Sequence, residues 1–292
     1  MKDFFHYLTS SEEDENWGIT LNVSGKTETA PHATYPSPKH PNGYFFTWNS
    51  GRVLNEYQIN YITQGSGVFE TREQVFELKT GSIFIIFPGV WHRYRPVSDK
   101  GWAENYIGFS GPVIEQLFNK TVFSAKKPVI EIGIKEEIID TYYKIFQLTK
   151  NEKPGFQQIA SGMIIKLLGY LISFEKQKDF SGKEISKIIE KIRFNIRQNL
   201  NHEIDFRKLS ADHYVSYSYL RKMFKKYTGI SPGQYQLQLR IMHAKELIIS
   251  TDKSIKEICY ETGFQSIHYF SRLFKQKTGI SPSDYRKKQL HG

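Results

Sequence analysis

Residues 219–232 read Tyr219-Leu220-Arg221-Lys222-Met223-Phe224-Lys225-Lys226-Tyr227-Thr228-Gly229-Ile230-Ser231-Pro232. Fifty residues later the chain repeats itself as Tyr269-Phe270-Ser271-Arg272-Leu273-Phe274-Lys275-Gln276-Lys277-Thr278-Gly279-Ile280-Ser281-Pro282. The leading Tyr, the central Phe-Lys and the whole Thr-Gly-Ile-Ser-Pro string are identical, and Leu/Phe and Met/Leu exchange one apolar side chain for another. Upstream the copies correspond with a one-residue offset, pairing Phe206 with Ile255, Leu209 with Ile258 and Val215 with Phe264. Helical repeats usually stack into solenoids, but two copies are too few to build one.

Each copy reads as a short helix, a tight turn and a second helix. In the second copy Ser254 suits an N-cap and Ile255 to Glu261 the first helix. Gly263 supplies the turn, and Ser266 caps a helix running to Thr278. Gly279 ends that helix by tolerating the left-handed conformation, and Ser281-Pro282 opens the next as cap plus first residue. The inward stripe of the second copy is Phe270, Leu273 and Phe274, which leaves Ile267, His268, Ser271, Arg272 and Lys275 facing out. The first copy buries Leu220, Met223 and Phe224 and presents Ser218, Arg221, Lys222 and Lys225. A short helix followed by an exposed basic helix is the helix-turn-helix arrangement. Between the copies, Ser231-Pro232 opens a helix to about Ser250 with Tyr235, Leu239, Met242 and Leu247 as its apolar residues. Twenty residues of helix span roughly 30 Å, close to the roughly 34 Å of one turn of B-DNA. A rod of that length sets two reading helices in successive major grooves.

Charge divides the same way. The chain of 292 residues carries a net +10, yet residues 1–183 hold 20 Lys and Arg against 20 Asp and Glu. Residues 184–292 hold 20 against 10, so the last third carries the whole excess. One basic domain beside a neutral one suits a phosphate-backbone binder, because each neutralised phosphate releases counterions. Hydrophobic residues at 39%, with 15% aromatic, exclude a disordered or fibrous chain. No run approaches the roughly 18 apolar residues needed to span a bilayer, and residues 1–18 lack an apolar signal core. The lone Cys259 excludes an internal disulfide framework and, lying between helix-core positions, reads as a small buried hydrophobe. A soluble, cytoplasmic protein without a membrane partner is expected.

The remainder reads as strands, then helices. Tyr57 to Ile62 alternates and ends at Gln64-Gly65-Ser66-Gly67, a hairpin signal. Val68-Phe69-Glu70 and Val75 to Leu78 follow, then Gly81 opens the apolar run Ser82 to Phe87, closed by Pro88-Gly89. Tyr106 to Phe109 makes another strand. Such spacing predicts a small barrel or sandwich. From about Lys135 the period changes, and Ile138, Ile139, Tyr142, Tyr143, Ile145 and Phe146 suit an amphipathic helix. Ile159 to Phe174 is helical and apolar over more than one face, so it must be buried on its own barrel or against a second copy. Lys176 to Lys183 is the linker candidate.

Residues 184–292 resemble the DNA-binding domain of the AraC/XylS family of bacterial transcription regulators. The resemblance lies in Ile255-Lys256-Glu257-Ile258-Cys259-Tyr260-Glu261-Thr262-Gly263-Phe264, in Phe270 to Lys275, and in Thr278-Gly279-Ile280-Ser281-Pro282 with Tyr285-Arg286. It implies base contacts from Ser218, Arg221, Lys222, Ile267, His268, Ser271 and Arg272. Phosphate contacts are implied from Tyr217, Lys225 and Lys275. Arg and Lys read guanine edges, whereas Ile267 meets only a thymine methyl, which makes Arg272 the leading candidate for base readout. Tyr214 departs from the pattern, standing where the second copy has Gly263, and is strained if that turn needs positive φ.

Gly65-Ser66-Gly67, the stretch Gly81 to Gly89, His92, Tyr94, Trp102 and Tyr106 to Phe109 resemble the cupin-like effector domain of the same family. The resemblance implies a multi-domain α+β protein in three parts. Residues 1–134 form a cupin-like β-barrel sensor, 135–180 a helical dimerisation segment, and 181–292 an all-α domain with two helix-turn-helix motifs. It implies a sequence-specific regulator, an activator, controlled by a small molecule such as a sugar and partnered by promoter DNA, a second copy and RNA polymerase. The effector would act by changing how the sensor and dimer helices place the DNA-binding domains, which requires different affinity for two arrangements. Carried over, the pocket positions fall at Trp48, Asn49, Tyr94, Glu104 and Tyr106, with an arm from Pro31 to Pro41 over them. Aromatic faces with a carboxylate suit a polyhydroxylated ligand, and equally Trp48, Tyr94 and Tyr106 suit ordinary barrel filling. A constitutive regulator whose barrel is only a scaffold therefore stays open.

A metal-dependent cupin enzyme is the rival class. Gly81 to His92 resembles the second cupin metal motif, which gives one histidine. The first motif needs His-x-His and a carboxylate on an earlier strand, but no histidine lies between Tyr57 and Glu77, and His32 and His40 stand isolated. A catalytic metal normally takes three protein ligands. Neither an enzyme, a metal nor a cofactor is expected.

Overall fold

The computed structural model describes residues 4–36, 46–119 and 123–290, and the chain divides into two compact units, Met1–Glu175 and Lys176–Gly292. The first unit contains β1 (Phe4–Tyr7), α1 (Glu12–Asn16), β2 (Thr20–Thr29), β3 (Tyr57–Thr71), β4 (Val75–Lys79), β5 (Ser82–Ile86), β6 (His92–Pro96), β7 (Trp102–Ser110), α2 (Pro112–Asn119), β8 (Val129–Glu131) and α3 (Glu136–Asn151). Helix α4 (Phe156–Lys178) follows, and the division between the units falls in its last turn. Its strands are antiparallel in the order β1-β2-β7-β3-β5-β8.

Strand β3 shapes this unit. Its first part pairs with β5 and β7, and its second part, from Ser66, pairs with β4 and β6. The hairpin expected at residues 64–67 is therefore not a hairpin. The register shifts between Ile62 and Gln64, Gly65 adopts φ +83°, and the strand carries on in a new direction. A bulge with a left-handed glycine bends a strand without ending it, and in short sequence the two signals look alike.

Alternation then sorts the side chains onto two faces. Ile59 and Tyr61 of β3, Ile83 and Ile85 of β5, and Ile107 and Phe109 of β7 turn toward the helices. They meet Tyr142 and Ile145 of α3 and Ile164, Leu167, Leu168 and Leu171 of α4. The greasy helix thus spends its leucines on its own sheet, while Ile159, Gly162, Ile165, Lys166 and Gly169 face outward. Where β2 breaks register between Leu21 and Val23, buried Gln157 of α4 takes the place of a strand. Its Oε1 accepts from the Leu21 amide at 3.0 Å, and its Nε2 donates to the Leu21 carbonyl at 3.0 Å. The opposite face holds Phe69, Phe84, Ile86, Tyr94 and Trp102, a second apolar cluster inside the fold.

The second unit is all helical, with α5 (Glu184–Gln198), α6 (Phe206–Ala211), α7 (Tyr217–Thr228), α8 (Pro232–Ser250), α9 (Ile255–Glu261), α10 (Ile267–Thr278) and α11 (Pro282–Leu290). The repeated Thr-Gly-Ile-Ser-Pro string is explained atom by atom. Thr228 and Thr278 each donate their hydroxyl to two carbonyls, at 2.8 Å to Phe224 and Phe274 and at 2.9 Å to Ile230 and Ile280. Gly229 and Gly279 close α7 and α10 at φ +88° and +86°. Ser231 then caps α8 through the Gln234 amide, and Ser281 caps α11 through that of Asp284.

Two cores result. Ile188, Ile189, Ile192 and Ile196 of α5 pack with Leu220 and Phe224 of α7, while Ile258, Cys259, Phe264, Phe270 and Phe274 form the other. Helix α8 serves both, offering Tyr235 and Leu239 to the first and Ile241, Ala244 and Ile248 to the second. Met242, expected on its apolar face, is instead exposed, because it lies between the two directions in which α8 packs. Among the described residues no helix is long and apolar enough to cross a membrane.

Tyr214 does adopt positive φ, +56°, and is 98% exposed. Gly263 at the equivalent turn has φ +79°, and a Cβ there would sit 2.3 Å from the Asn201 carbonyl oxygen. The first turn therefore tolerates a side chain and the second does not. A non-glycine residue in the left-handed region costs roughly 1–2 kcal/mol, and glycine recovers that less its own chain entropy. Tyr214→Gly is expected to stabilise the second unit by about 0.5–1 kcal/mol, and Gly263→Ala to destabilise it, both by urea unfolding. A loss of stability in Tyr214→Gly would mean that the ring holds contacts outweighing its strained backbone.

Candidate nucleic-acid interface and effector cavity

Helices α7 and α10 present matching faces. Ser216 caps α7 by accepting from the Tyr219 amide at 3.3 Å, and Ser266 caps α10 through the Tyr269 amide at 3.4 Å. With the inward stripe fixed by Leu220 and Phe224 on one helix and by Phe270, Leu273 and Phe274 on the other, the outward residues follow at three- and four-residue intervals. Ser218, Arg221, Lys222 and Lys225 line α7, and His268, Ser271, Arg272 and Lys275 line α10. Seven of these eight are exposed and Ser271 is half-buried. Tyr217, at the first position of α7, is half-buried, and Ile267 leans into the second core.

Their electrostatics suit an external anion. Among the described residues none of Arg221, Lys222, Lys225, Arg272 and Lys275 forms an ion pair, whereas the neighbouring Lys226 is bound to Asp179 at 2.8 Å and Lys253 to Glu261 at 2.6 Å. The guanidinium of Arg272 lies 5.8 Å from the ring centre of Tyr269, which supports its stem and leaves its edge outward. Two ridges of cations, unpaired among the described residues and with short polar side chains between them, can meet phosphates and base edges together.

The inside of the first unit contains a cavity onto which Tyr94, Glu104 and Tyr106 converge. Strands β6 and β7 bring them there by alternation, His92 and Tyr94 on one and Trp102, Glu104 and Tyr106 on the other. Trp48 and Asn49, expected beside them, do not line it. Trp48 is drawn to the outer face of β6, with Arg95 at 3.8 Å and Arg93 at 4.2 Å from its ring centre, and Asn49 is exposed in the turn that follows. Tyr7, Tyr35, Pro36, Phe46, Arg52 and Gln58 complete the lining, and of these Tyr7, Phe46, Arg52 and Gln58 were not foreseen. Tyr35 and Pro36 belong to the expected arm, of which residues 37–41 lie outside the described residues. Gln58 was accessible in principle, since it shares the inward face of β3 with Asn60. Arg52 sits in a turn-rich stretch with no periodicity to betray it.

The cavity is almost filled by its own walls. About 20 Å³ remains, enough for a single water. Tyr35 donates to Glu104 Oε1 at 3.3 Å, and Thr27 donates to the same oxygen at 2.9 Å. The Tyr106 hydroxyl is buried with no hydrogen-bond partner among the described residues. Burial pushes the Tyr94 phenol up to about 12 and that of Tyr106 further, so both remain neutral hydroxyls able to donate or accept. A ligand larger than water needs Tyr35 or Arg52 to withdraw.

His92 is committed elsewhere. Its Nδ1 lies 2.9 Å from the Val90 carbonyl, and its Nε2 accepts from Arg52 Nε at 3.2 Å, while Arg52 Nη2 donates to the Tyr94 hydroxyl at 2.6 Å. The carbonyl fixes the Nδ1–H tautomer and the guanidinium occupies the only lone pair a metal could use. No group of three or more His, Cys, Asp or Glu among the described residues is placed to hold a metal. Burial, reinforced by the Arg52 charge, lowers the His92 pKa to about 3. The folded state therefore binds fewer protons than the unfolded chain below the ordinary pKa near 6.5. Stability from this group is complete above that pH and is lost as pH falls toward 3, by about 1.4 kcal/mol per pH unit. Between pH 6.5 and 5 the wild type is expected to lose about 2 kcal/mol more than His92→Gln in paired urea titrations. Equal losses would show that His92 accepts a proton without leaving its site.

Residues 36–161 match the family described as the AraC-like ligand binding domain, and residues 209–288 match a helix-turn-helix domain family, together more than two thirds of the chain. The lactose operon transcription activator of Staphylococcus xylosus is 25% identical over 231 residues, covering 76% of this chain and 79% of that protein. The Msm operon regulatory protein of Streptococcus mutans is 26% identical over 236 residues, covering 79% and 82%. The raffinose operon transcriptional regulatory protein RafR of Pediococcus pentosaceus is 25% identical over 230 residues, covering 75% and 80%. An effector-type sheet domain followed by two capped helix-turn-helix motifs, in a chain that aligns over three quarters of its length with operon regulators, is a transcriptional regulator of the AraC family, to which this chain belongs.

Proposed function

We propose that the protein is a sequence-specific activator that responds to a carbohydrate in the cavity of its first unit and reads promoter DNA with α7 and α10. The observation that carries the DNA half of this reading is the pair of matching ridges, Ser218-Arg221-Lys222-Lys225 and His268-Ser271-Arg272-Lys275, none of whose cations is paired among the described residues. Tyr217 serves as a phosphate anchor beside Lys225 and Lys275. Ile267 offers at most the edge of its side chain to a thymine methyl. Support for a carbohydrate comes from the cavity's mixture of aromatic faces, the Glu104 carboxylate and the unpartnered Tyr106 hydroxyl. The lactose and raffinose operons named for two relatives point the same way. A second copy would dock along the outward stripe of α4, since Leu167, Leu168 and Leu171 are spent on the protein's own sheet. RNA polymerase completes the set of partners, in the cytoplasm. With His92 closed to metal by Arg52, the reading is of a binding protein and not an enzyme.

The filled cavity favours one alternative, a constitutive regulator whose sheet domain is a scaffold. Melting the full chain against mono- and oligosaccharides, lactose and raffinose included, separates the two. A ligand at 100 times its Kd adds about 2.7 kcal/mol to the unit that binds it, and Tyr106→Phe should reduce that gain. A flat panel on folded protein would leave the scaffold or a non-sugar effector.

Arg272→Ala is expected to cost about 1–3 kcal/mol on the preferred site and to relax selectivity at one base position. Equal losses on every DNA sequence would reassign Arg272 to a phosphate.

A further inference from the structure

The two copies of the repeat each carry a carbonyl-gripping side chain one residue after the tyrosine of Ser-Pro-x-x-Tyr. In the first copy Gln236 Nε2 donates to the Leu200 carbonyl at 3.3 Å and to that of His202 at 2.8 Å. In the second, Arg286 Nε donates to Ile248 at 3.2 Å and its Nη2 to Lys253 at 2.7 Å. Each grip ties a motif to the helix and loop that precede it, and neither reaches the other motif.

Arg240 breaks this symmetry. It lies one helical turn beyond Gln236 on α8, and the position fifty residues later is Leu290, which has no such group. Its Nε donates to Leu200 at 2.7 Å and its Nη2 to His202 at 2.8 Å, both in the loop that leads into the first motif. Its Nη1 donates to Gly263 at 2.8 Å, in the turn of the second motif. The same loop and turn touch directly, because a Cβ on Gly263 would lie 2.3 Å from the Asn201 oxygen. One planar cation thus takes carbonyls from the loop before the first motif and from the turn of the second, where the two backbones touch. Helix α8 alone fixes a length. It does not stop the two motifs, each with its own core, from twisting about that rod in opposite senses. A guanidinium has its donors in a rigid fork, so a twist that carries Gly263 away from Leu200 and His202 must break one of the three bonds.

We infer that Arg240 locks the distance and phase between the two reading helices, and so makes the protein selective for the spacing of its two DNA boxes as well as for their sequence. This rests on the reading that both α7 and α10 contact DNA. One base pair inserted between the boxes moves the second box by about 3.4 Å and turns it by roughly 35° about the duplex. A locked pair of helices cannot follow both changes, whereas a pair joined only through α8 can follow part of the turn.

The test uses the full chain. Its preferred duplex is selected from a random library, and affinities are measured for that duplex, for derivatives with one base pair inserted or deleted between the boxes, and for a single-box duplex. The wild type is expected to lose about tenfold or more on either spacing change. Arg240→Met keeps an unbranched apolar side chain on α8 and removes the fork, together with the guanidinium that lies 5.8 Å from the Phe264 ring centre. It is expected to bind the single box within about twofold of wild type, and to discriminate between spacings by no more than about threefold. Arg240→Lys, with one point donor in place of three fixed ones, should fall between. Unchanged spacing discrimination in either folded variant overturns the inference, as does an equal loss on single-box and two-box DNA. If neither variant folds by circular dichroism, Arg240 is a determinant of the fold and not of spacing, which also overturns it. A wild type that selects only one box would instead sink the two-helix reading itself, a result distinguishable from failure of the Arg240 lock.

Discussion

A guanidinium group packed into a protein surface finds its acceptors in a plane, and in each unit a half-buried arginine is satisfied by segments that are distant in sequence. Arg52 reaches His92 and Tyr94 across the inside of the sheet domain. Arg240 reaches three carbonyls on two motifs. Because the fork is rigid, what it binds is held in register to within a fraction of an ångström, and the hydrogen bonds, being charge-assisted, are stronger than neutral ones. Arg52 holds the Tyr94 hydroxyl and the His92 Nε2 that the Val90 carbonyl has left as acceptor, and Arg240 holds the junction between the helix-turn-helix motifs.

Both units also rely on one long element that belongs to two layers. Strand β3 passes from one sheet to the other through the bulge at Gly65 and thereby gives the domain an inside. Helix α8 turns one face to the first core and another to the second. Each long element has the same consequence, for a change of direction at one end is felt at the other. The strands that line the inside of the sheet domain also carry the helix-facing core of α3 and α4. The core beneath α7 and the core beneath α10 are separate, and α8 is the element common to both.

The second unit was legible almost residue by residue, because its information is local. Caps, αL glycines and three-to-four spacing lie within a turn or two of one another, and the Thr-Gly-Ile-Ser-Pro string encodes the same three hydrogen-bonded devices twice. Even the strain at Tyr214 could be anticipated from its alignment with Gly263. The sheet domain was legible only as strands. Gly65-Ser66-Gly67 carries the composition of a hairpin and makes a bulge, since the choice is decided by Trp102 and Arg95 packed against it and not by the three residues themselves. Of the cavity residues, Tyr94, Glu104 and Tyr106 lie on periodic strands and could be placed. Arg52 could not, for it arrives from a turn, and Trp48 lies outside against the guanidinium groups of Arg93 and Arg95. Long-range electrostatic choices of that kind leave no pattern in a single chain.

On the reading that the cavity takes a ligand, its own lining competes with that ligand for the space. Tyr35 and the stretch around Arg52 occupy the space that any incoming molecule must take, so binding is an exchange of one set of contacts for another and not the filling of a void. The affinity seen from outside is then the intrinsic affinity reduced by the small fraction of molecules in which those side chains have withdrawn. Weakening the Tyr35–Glu104 hydrogen bond would lower the concentration at which the cavity fills, because it raises the fraction of molecules with Tyr35 withdrawn. The threshold of response can in this way shift through the closed state alone, even where the contacts made in the bound state are unchanged.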